Sequence, residues 1–305
     1  MPPVPGSPFV ETDLRIGRAV ALTGEDAGKY PYGNSMLVTG TLERVLIDPS
    51  LSIHRRGGAP VEVDRVLVSH AHEDHIAGIA MLPDARVHAH TEDLLGLHSL
   101  AGFLQVYGMP PDIEAKWAPE VLDQFHYTAR PDATSFTGGE VFDLGGCRVE
   151  VVHLPGHTRG HCGFLVEPDG VFFVADVDLS GFGPYYGDHW SDLEDFERAI
   201  RRCREIDARH YATFHHKGVV SDRREFLAAL DAFSAVIGQR EKRLLGYLAE
   251  PRSVEEMIGY RIIYRPGVEL MFADHVEATS IGMHLRRFLR TGAVREVEPG
   301  RYRAA

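Results

Sequence analysis

Four histidine and aspartate side chains able to hold a metal ion, His70, His72, Asp74 and His75, fall within six residues of this chain, in the run Ser69-His70-Ala71-His72-Glu73-Asp74-His75-Ile76. The apolar, β-branched run Val66–Val68 ends immediately before it. Such a run reads as a buried strand, so the cluster is expected at a strand's end, where the chain turns into a helix. His70 and His72 are two apart, so in an extended segment both side chains point to one side. They would face one ion, and Asp74 and His75 another. Neutral imidazoles and carboxylates suit Zn²⁺, Fe²⁺ or Mn²⁺. The competing reading, a surface turn that happens to be rich in histidine, is disfavoured because this spacing directly after an apolar strand is rare by chance.

The same context recurs three times. The run 149–154 is followed by Pro155-Gly156-His157-Thr158-Arg159-Gly160-His161, the run 171–175 by Asp176, and the run 210–214 by His215-His216. In an α/β sheet, sites assemble at the edge where strands end. A dinuclear centre needs about five to seven protein ligands with a bridging carboxylate and room for water, and the sequence supplies that number. His215 is nearer the strand end than His216, and alternation sends the two to opposite faces. His215 is therefore the preferred last ligand, with His216 the alternative.

The rest of the chain narrows the setting. Its 305 residues suit one large domain or a domain with a small appendage, and 44 acidic against 32 basic residues give a net charge of −12. That balance disfavours a nucleic-acid or anionic-membrane surface. No apolar run is long enough to span a bilayer, and the opening residues lack the pattern of a secretory signal. Three widely spaced cysteines, Cys147, Cys162 and Cys203, argue against a disulfide framework and for a cytoplasmic setting.

Strands are expected at Met36–Val38, Val45–Ile47, Arg65–Val68 and Gly163–Val166, beside those already named. Helices are expected at His75–Met81, Thr91–Tyr107, Ser191–Ile206 and Ser221–Ile237. Pro110 and Pro111 are read as ending the Thr91–Tyr107 stretch, and residues 112–139 as an irregular loop or lid. Beyond Glu241 the pattern changes to three short helices, Leu244–Leu248, Val254–Ile258 and Ile281–Leu289. A hairpin of Ala293–Val297 and Arg301–Arg303 follows. This predicts a catalytic domain over 1–235 and a small helical, winged-helix-like domain over 236–305.

The HxHxDH motif, the PGHTxGH companion, Asp176 and the last His, in that order, resemble the metallo-β-lactamase superfamily. Over roughly residues 14–220 the chain looks like its glyoxalase II and β-lactamase-like endoribonuclease branches. The resemblance implies an α/β fold, an αββα sandwich with metals at one edge. On this chain it implies His70, His72 and His157 around a first metal, and Asp74, His75 and His215 (or His216) around a second. Asp176 would bridge them. The implied cofactors are two divalent ions, Zn first, with Fe or Mn as alternatives. The implied chemistry is attack by a metal-bridging hydroxide, with Asp74 orienting the nucleophile, on a small-molecule ester or thioester. The alternative is a phosphodiesterase or endoribonuclease acting on nucleic acid, for which Arg286, Arg287, Arg290, Arg295, Arg301 and Arg303 give the tail a basic character. A third reading makes the protein a metal-binding sensor, with the tail as a homo-oligomerisation element.

Tyr185 and Tyr186 lie on a Gly- and Pro-fixed loop after Asp176 and are candidates to line the substrate pocket, against the plainer reading of an aromatic turn packed on the core. His161 is assigned a supporting role behind the ligands. His153 is assigned a structural role, and His54, His88, His90, His98 and His126 lack ligand spacing.

Overall fold

The computed structural model describes residues 10–305. Two sheets face each other. The first has seven strands in chain order: β1 (Leu14–Ile16), β2 (Ala19–Leu22), β3 (Ser35–Thr39), β4 (Arg44–Ile47), β5 (Arg65–Val68), β6 (Arg86–His90) and β7 (Thr134–Phe136). Its first four strands are antiparallel neighbours and its last four run parallel. The parallel part needs crossovers. These are α1 (Leu51–Arg55) between β4 and β5, α2 (Glu73–Ile76) between β5 and β6, and α3 (Leu94–His98), α4 (Leu100–Tyr107) and α5 (Pro111–Asp123) between β6 and β7.

The second sheet has six strands, β8 (Val141–Asp143), β9 (Arg148–His153), β10 (Cys162–Glu167), β11 (Val171–Phe173), β12 (His210–Ala212) and β13 (Val219–Val220). Only β11 and β12 pair in parallel, across α6 (Leu193–Glu205). After β13 come α7 (Arg223–Tyr247), β14 (Arg252–Ser253), α8 (Val254–Tyr260), α9 (Ala273–Thr291), β15 (Val294–Glu298) and β16 (Arg301–Ala304). The last three strands form a small sheet in the order β14-β16-β15.

Period-two alternation explains the layering. Met36, Val38, Val45, Ile47 and Leu67 point between the sheets and meet Val149, Val151, Phe164, Val166 and Phe173. Their alternating neighbours point outward. Leu37, Leu46, Val66 and Val68 pack with residues of the α1–α5 helices, and Val152 and Phe172 pack with Phe196, Leu230 and Ile281. Both faces of each sheet are thus apolar, which is why the strands read as nearly continuous hydrophobic runs. The result is the expected αββα sandwich with a helical C-terminal appendage. Helix α7 runs unbroken through position 236, and one apolar cluster joins Phe226 and Leu230 to Val276, Ile281 and Phe288.

Three local expectations are corrected. Residues 111–123 form a 13-residue helix, because Pro111 sits at the first helical turn where its missing N–H costs nothing. The lid expected over 112–139 is therefore largely that helix plus β7. The stretch 91–107 is two helices, broken where Ser99 turns extended and caps α4 by accepting a hydrogen bond from the Gly102 N–H. Leu244–Leu248 is the end of α7 rather than a separate helix.

Candidate metal centre

Each candidate ligand follows the end of a strand, as the sequence pattern predicts. The turn after β5 carries His70 and His72, and α2 begins with His72 as its extended N-cap residue and brings in Asp74 and His75. His157 follows β9, Asp176 follows β11 and His215 follows β12. All seven converge on one edge of the sandwich, and all but Asp176 are buried.

Two ligand sets are distinguishable. In the first, His70 Nε2 lies 3.0 Å from His72 Nδ1, and His157 Nε2 lies 3.1 Å and 3.0 Å from those two atoms. In the second, His215 Nε2 lies 3.0 Å from Asp74 Oδ2, and His75 Nε2 lies 4.0 Å from Asp74 Oδ1. Asp176 stands between them. Its Oδ1 is 3.0 Å from His75 Nε2 and 4.0 Å from His215 Nε2, while its Oδ2 is 3.3 Å from His157 Nε2. Ligand atoms sharing one tetrahedral ion at about 2.0–2.2 Å stand roughly 3.3–3.6 Å apart, so these separations fit donors gathered around common points. A second observation agrees. Asp74 Oδ2, His75 Nε2 and Asp176 Oδ1 are buried and crowd against one another's sets, His75 Nε2 on Asp176 Oδ1 and His215 Nε2 on Asp74 Oδ2, both at 3.0 Å, a gathering of ligand atoms out of water that a cation would satisfy.

Behind the imidazoles stands a layer of oxygen atoms. His75 Nδ1 donates to Asp48 Oδ2 at 2.8 Å, His157 Nδ1 to the Tyr185 carbonyl at 2.9 Å, and His215 Nδ1 to the Gly28 carbonyl at 2.8 Å. His72 Nε2 lies 3.0 Å from Asp188 Oδ2. Each contact sets which ring nitrogen faces the centre. Asp48 also accepts from the Ser69 N–H at 2.6 Å and from its hydroxyl, locking the turn after β5. His161 supports the middle of the site, donating from Nδ1 to the Leu154 carbonyl and accepting the Asp176 N–H on Nε2 at 3.2 Å.

The electrostatics follow from this packing. Burial opposes charge on His75, but Asp176, Asp74 and Asp48 outweigh it and hold the imidazole well above its ordinary range. Burial likewise opposes charge on His215, and Asp176 and Asp74 push it up to about 9. Burial works to raise Asp176, yet His75 and His215 hold it well below the usual carboxylate range. His70 goes the other way: burial, then His75, His72 and His157, push it well down. Protons held on His75 and His215 offset the charge of the neighbouring carboxylates, and a divalent cation held by these residues would take the place of those protons.

The remaining sequence candidates separate cleanly. His216 is exposed and has a left-handed backbone, with φ of 58°, and it is outside both ligand sets. Tyr185 lies against the site, its ring 5.7 Å from that of His157 and its hydroxyl donating to Asp188 Oδ1 at 3.1 Å. Tyr186 does not line the site. It is fully buried, with its hydroxyl 3.0 Å from His284 Nε2 and its ring beside Arg240. His153 stacks on His90 across the two sheets at 4.1 Å.

Sequence reading missed Asp48, Asp93, Asp188 and Glu73. Glu73 is buried and accepts hydrogen bonds from Tyr30 and Tyr107, and Tyr107 stacks on His72. Asp48 directly follows β4, so the strand-end signal that found Asp176 also marked it. Glu73 lies inside the His70–His75 run itself, and nothing in local spacing marked Asp93 or Asp188.

Residues 30–232 match the metallo-beta-lactamase superfamily family model, and the chain belongs to that superfamily. It is 26% identical over 254 residues to an atrochrysone carboxyl ACP thioesterase of Aspergillus terreus, covering 79% of this chain and 67% of the relative. It is 31% identical over 120 residues to hydroxyacylglutathione hydrolase GloC of Haemophilus influenzae, covering 38% and 50%. The chain spans 56–67% of the length of two such thioesterases, from Aspergillus fumigatus and Aspergillus terreus. Among solved structures, a metallo-beta-lactamase family protein from Thermus thermophilus superposes with a TM-score of 0.66 at 23% identity, over 91% of this chain and 96% of that one. A beta-lactamase domain protein from Burkholderia ambifaria gives 0.67 at 18%, over 96% and 93%. Both share the fold.

Proposed function

We propose that the protein is a dinuclear metal-dependent hydrolase of thioester or ester substrates, with zinc as the preferred metal. The observation that carries this reading is the placement of Asp176, one carboxylate oxygen facing the His75 set and the other facing His157. When bound, a pair of divalent cations supplies Lewis acidity and water acidified toward neutral pH.

The chain's own residues do the rest. His70, His72 and His157 would hold one ion, and Asp74, His75 and His215 the other, with Asp176 between. Ionised Asp74 is acceptor-only, so it can orient an attacking water by accepting its proton in a hydrogen bond. Burial works to raise Asp74, but His75 and His215 hold it low, which keeps that acceptor ionised. Asp188 and the carbonyls of Tyr185 and Gly28 fix the rings, so little reorganisation accompanies the reaction.

The substrate class draws on the relatives, which are named as a thioesterase and a hydroxyacylglutathione hydrolase. Three of the six arginines named for the nucleic-acid alternative are engaged by the chain's own carboxylates. Arg287 pairs with Glu197 and Glu241, Arg290 with Glu194, and Arg301 with Glu256. Among the described residues no helix is long and apolar enough to cross a membrane.

The test is elemental analysis of purified protein beside a His72→Ala variant, followed by turnover on neutral acyl thioesters and on a phosphodiester. About two ions per chain and metal-dependent thioester cleavage are expected. A chain that takes up no metal, or that cleaves only the phosphodiester, overturns the reading.

A further inference from the structure

The two segments that carry the first ligand set are far apart in sequence. His70 and His72 follow β5, and His157 follows β9 on the other sheet. Something must fix their separation to a fraction of an ångström, because three imidazole nitrogens share one small volume. Sheet pairing does not do it, since the two segments belong to different sheets, and the backbone bond between their flanks, Cys162 N–H to the Ser69 carbonyl at 2.9 Å, ties residues outside the turns that carry His72 and His157.

We propose that Asp93 is the positioning residue that sets this separation, and so controls metal affinity at the first set but not the second. The inference rests on the dinuclear reading above. Asp93 follows β6 by three residues and is fully buried. Its Oδ2 accepts from the Ala71 N–H at 3.1 Å, the residue between His70 and His72. The same oxygen accepts from the Thr158 hydroxyl at 2.6 Å, adjacent to His157. Its Oδ1 accepts from the Gly160 N–H at 2.7 Å. One carboxylate thus joins the two ligand segments, through bonds spanning 22, 65 and 67 residues of sequence.

The fit leaves no slack. A Cβ on Gly160 would lie 2.7 Å from Asp93 Oδ1, so glycine is what lets the His157 segment come this close. Charge also matters. Three donors converge on two oxygens, which an ionised carboxylate satisfies and a carboxamide does not. The second set has separate anchors. Asp48 holds His75, the Gly28 and Tyr32 carbonyls hold His215, and His161 holds the Asp176 backbone. The expected consequence is a defect confined to one set, which general loosening of the fold does not produce.

The experiment isolates each set in the full chain. A His215→Ala background leaves the first set complete, and a His72→Ala background leaves the second. Zn²⁺ affinity is measured in both by competition with a chromophoric chelator, with and without Asp93→Asn. Loss of an outer supporting contact weakens metal binding roughly 10–100-fold, and that loss is expected in the His215→Ala background alone. Thr158→Val, which removes one of the three donors and keeps Asp93, is expected to move the same affinity in the same direction by less. It decides the matter if Asp93→Asn does not fold. Equal weakening in both backgrounds, or no weakening in either, overturns the proposal. A wild-type chain that binds no Zn²⁺ overturns the dinuclear reading beneath it as well.

Discussion

Asp188 Oδ2 lies 3.0 Å from His72 Nε2, on the side of the ring opposite the Nδ1 atom that meets His70 and His157. Asp188 is fully buried, and its other oxygen accepts from the Tyr185 hydroxyl. A carboxylate in this position fixes the tautomer and raises the basicity of the nitrogen facing the metal. Asp188→Asn is therefore expected to weaken Zn²⁺ binding roughly 10–100-fold with little change in fold. Chelator competition beside circular dichroism measures both. Unchanged affinity in a folded variant removes Asp188 from the centre's support.

Asp176 makes a different prediction because it serves both sets. Asp176→Ala removes the oxygens facing His75 and His157 together. Bound metal is expected to fall toward one ion per chain, and turnover by roughly 10⁴-fold or more, the scale of losing a member of a catalytic unit. Elemental analysis and single-substrate kinetics on the same preparation test it. Two ions retained with near-normal turnover would show that the carboxylate does not bridge.

These residues differ in how far the sequence reveals them. The ligands were legible because each follows a short apolar run, and strand formation there is driven by local pattern and burial on both faces. Val66–Val68 announces His70 just as the run after Gly170 announces Asp176. Asp93 and Asp188 were not legible because their role lies in accepting from groups brought near only by folding. Ala71 and Gly160 lie 22 and 67 residues from Asp93. The helix at 111–123 was missed for a local reason, since Pro111 marks a helix's first turn as readily as a helix's end. The length of α7 was missed for a tertiary one. Its polar middle contains Arg240, which is buried and donates to the carbonyls of Phe182 and Pro184. That contact carries the helix through a stretch that reads as a boundary and pins the loop bearing Tyr185.

Tyr185 and Tyr186 are adjacent but are expected to respond oppositely. Tyr186→Phe removes a buried hydroxyl's bond to His284, which belongs to neither ligand set, and should cost about 1 kcal/mol of stability with kcat unchanged. Tyr185→Phe removes the hydroxyl that Asp188 accepts from, beside His157, and should lower kcat/KM while leaving the melting temperature closer to wild type. Thermal melts and steady-state kinetics on the two variants separate the roles. A kinetic defect in Tyr186→Phe without loss of stability contradicts the assignment.

Acid sensitivity should carry a signature of the stacked pair that joins the two sheets. His90, at the end of β6, stacks on His153 from β9 with rings 4.1 Å apart and 12° from parallel. Burial, followed by repulsion from His153, lowers the His90 pKa from 6.5 to about 4. The unfolded chain therefore takes up this proton at a higher pH than the folded one. The stability that neutral His90 contributes is fully present above about pH 6.5, declines as pH falls toward 4, and changes no further below that. A His90→Gln variant, which cannot titrate, should lose less stability than wild type across this window. The wild-type advantage in melting temperature should shrink steadily from pH 7 to pH 4. Melts of both proteins, each stripped of metal so that ligand release does not intrude, measure the difference directly. A difference that stays constant with pH would show that His90 titrates alike in the folded and unfolded chains, and that the stack does not hold it neutral.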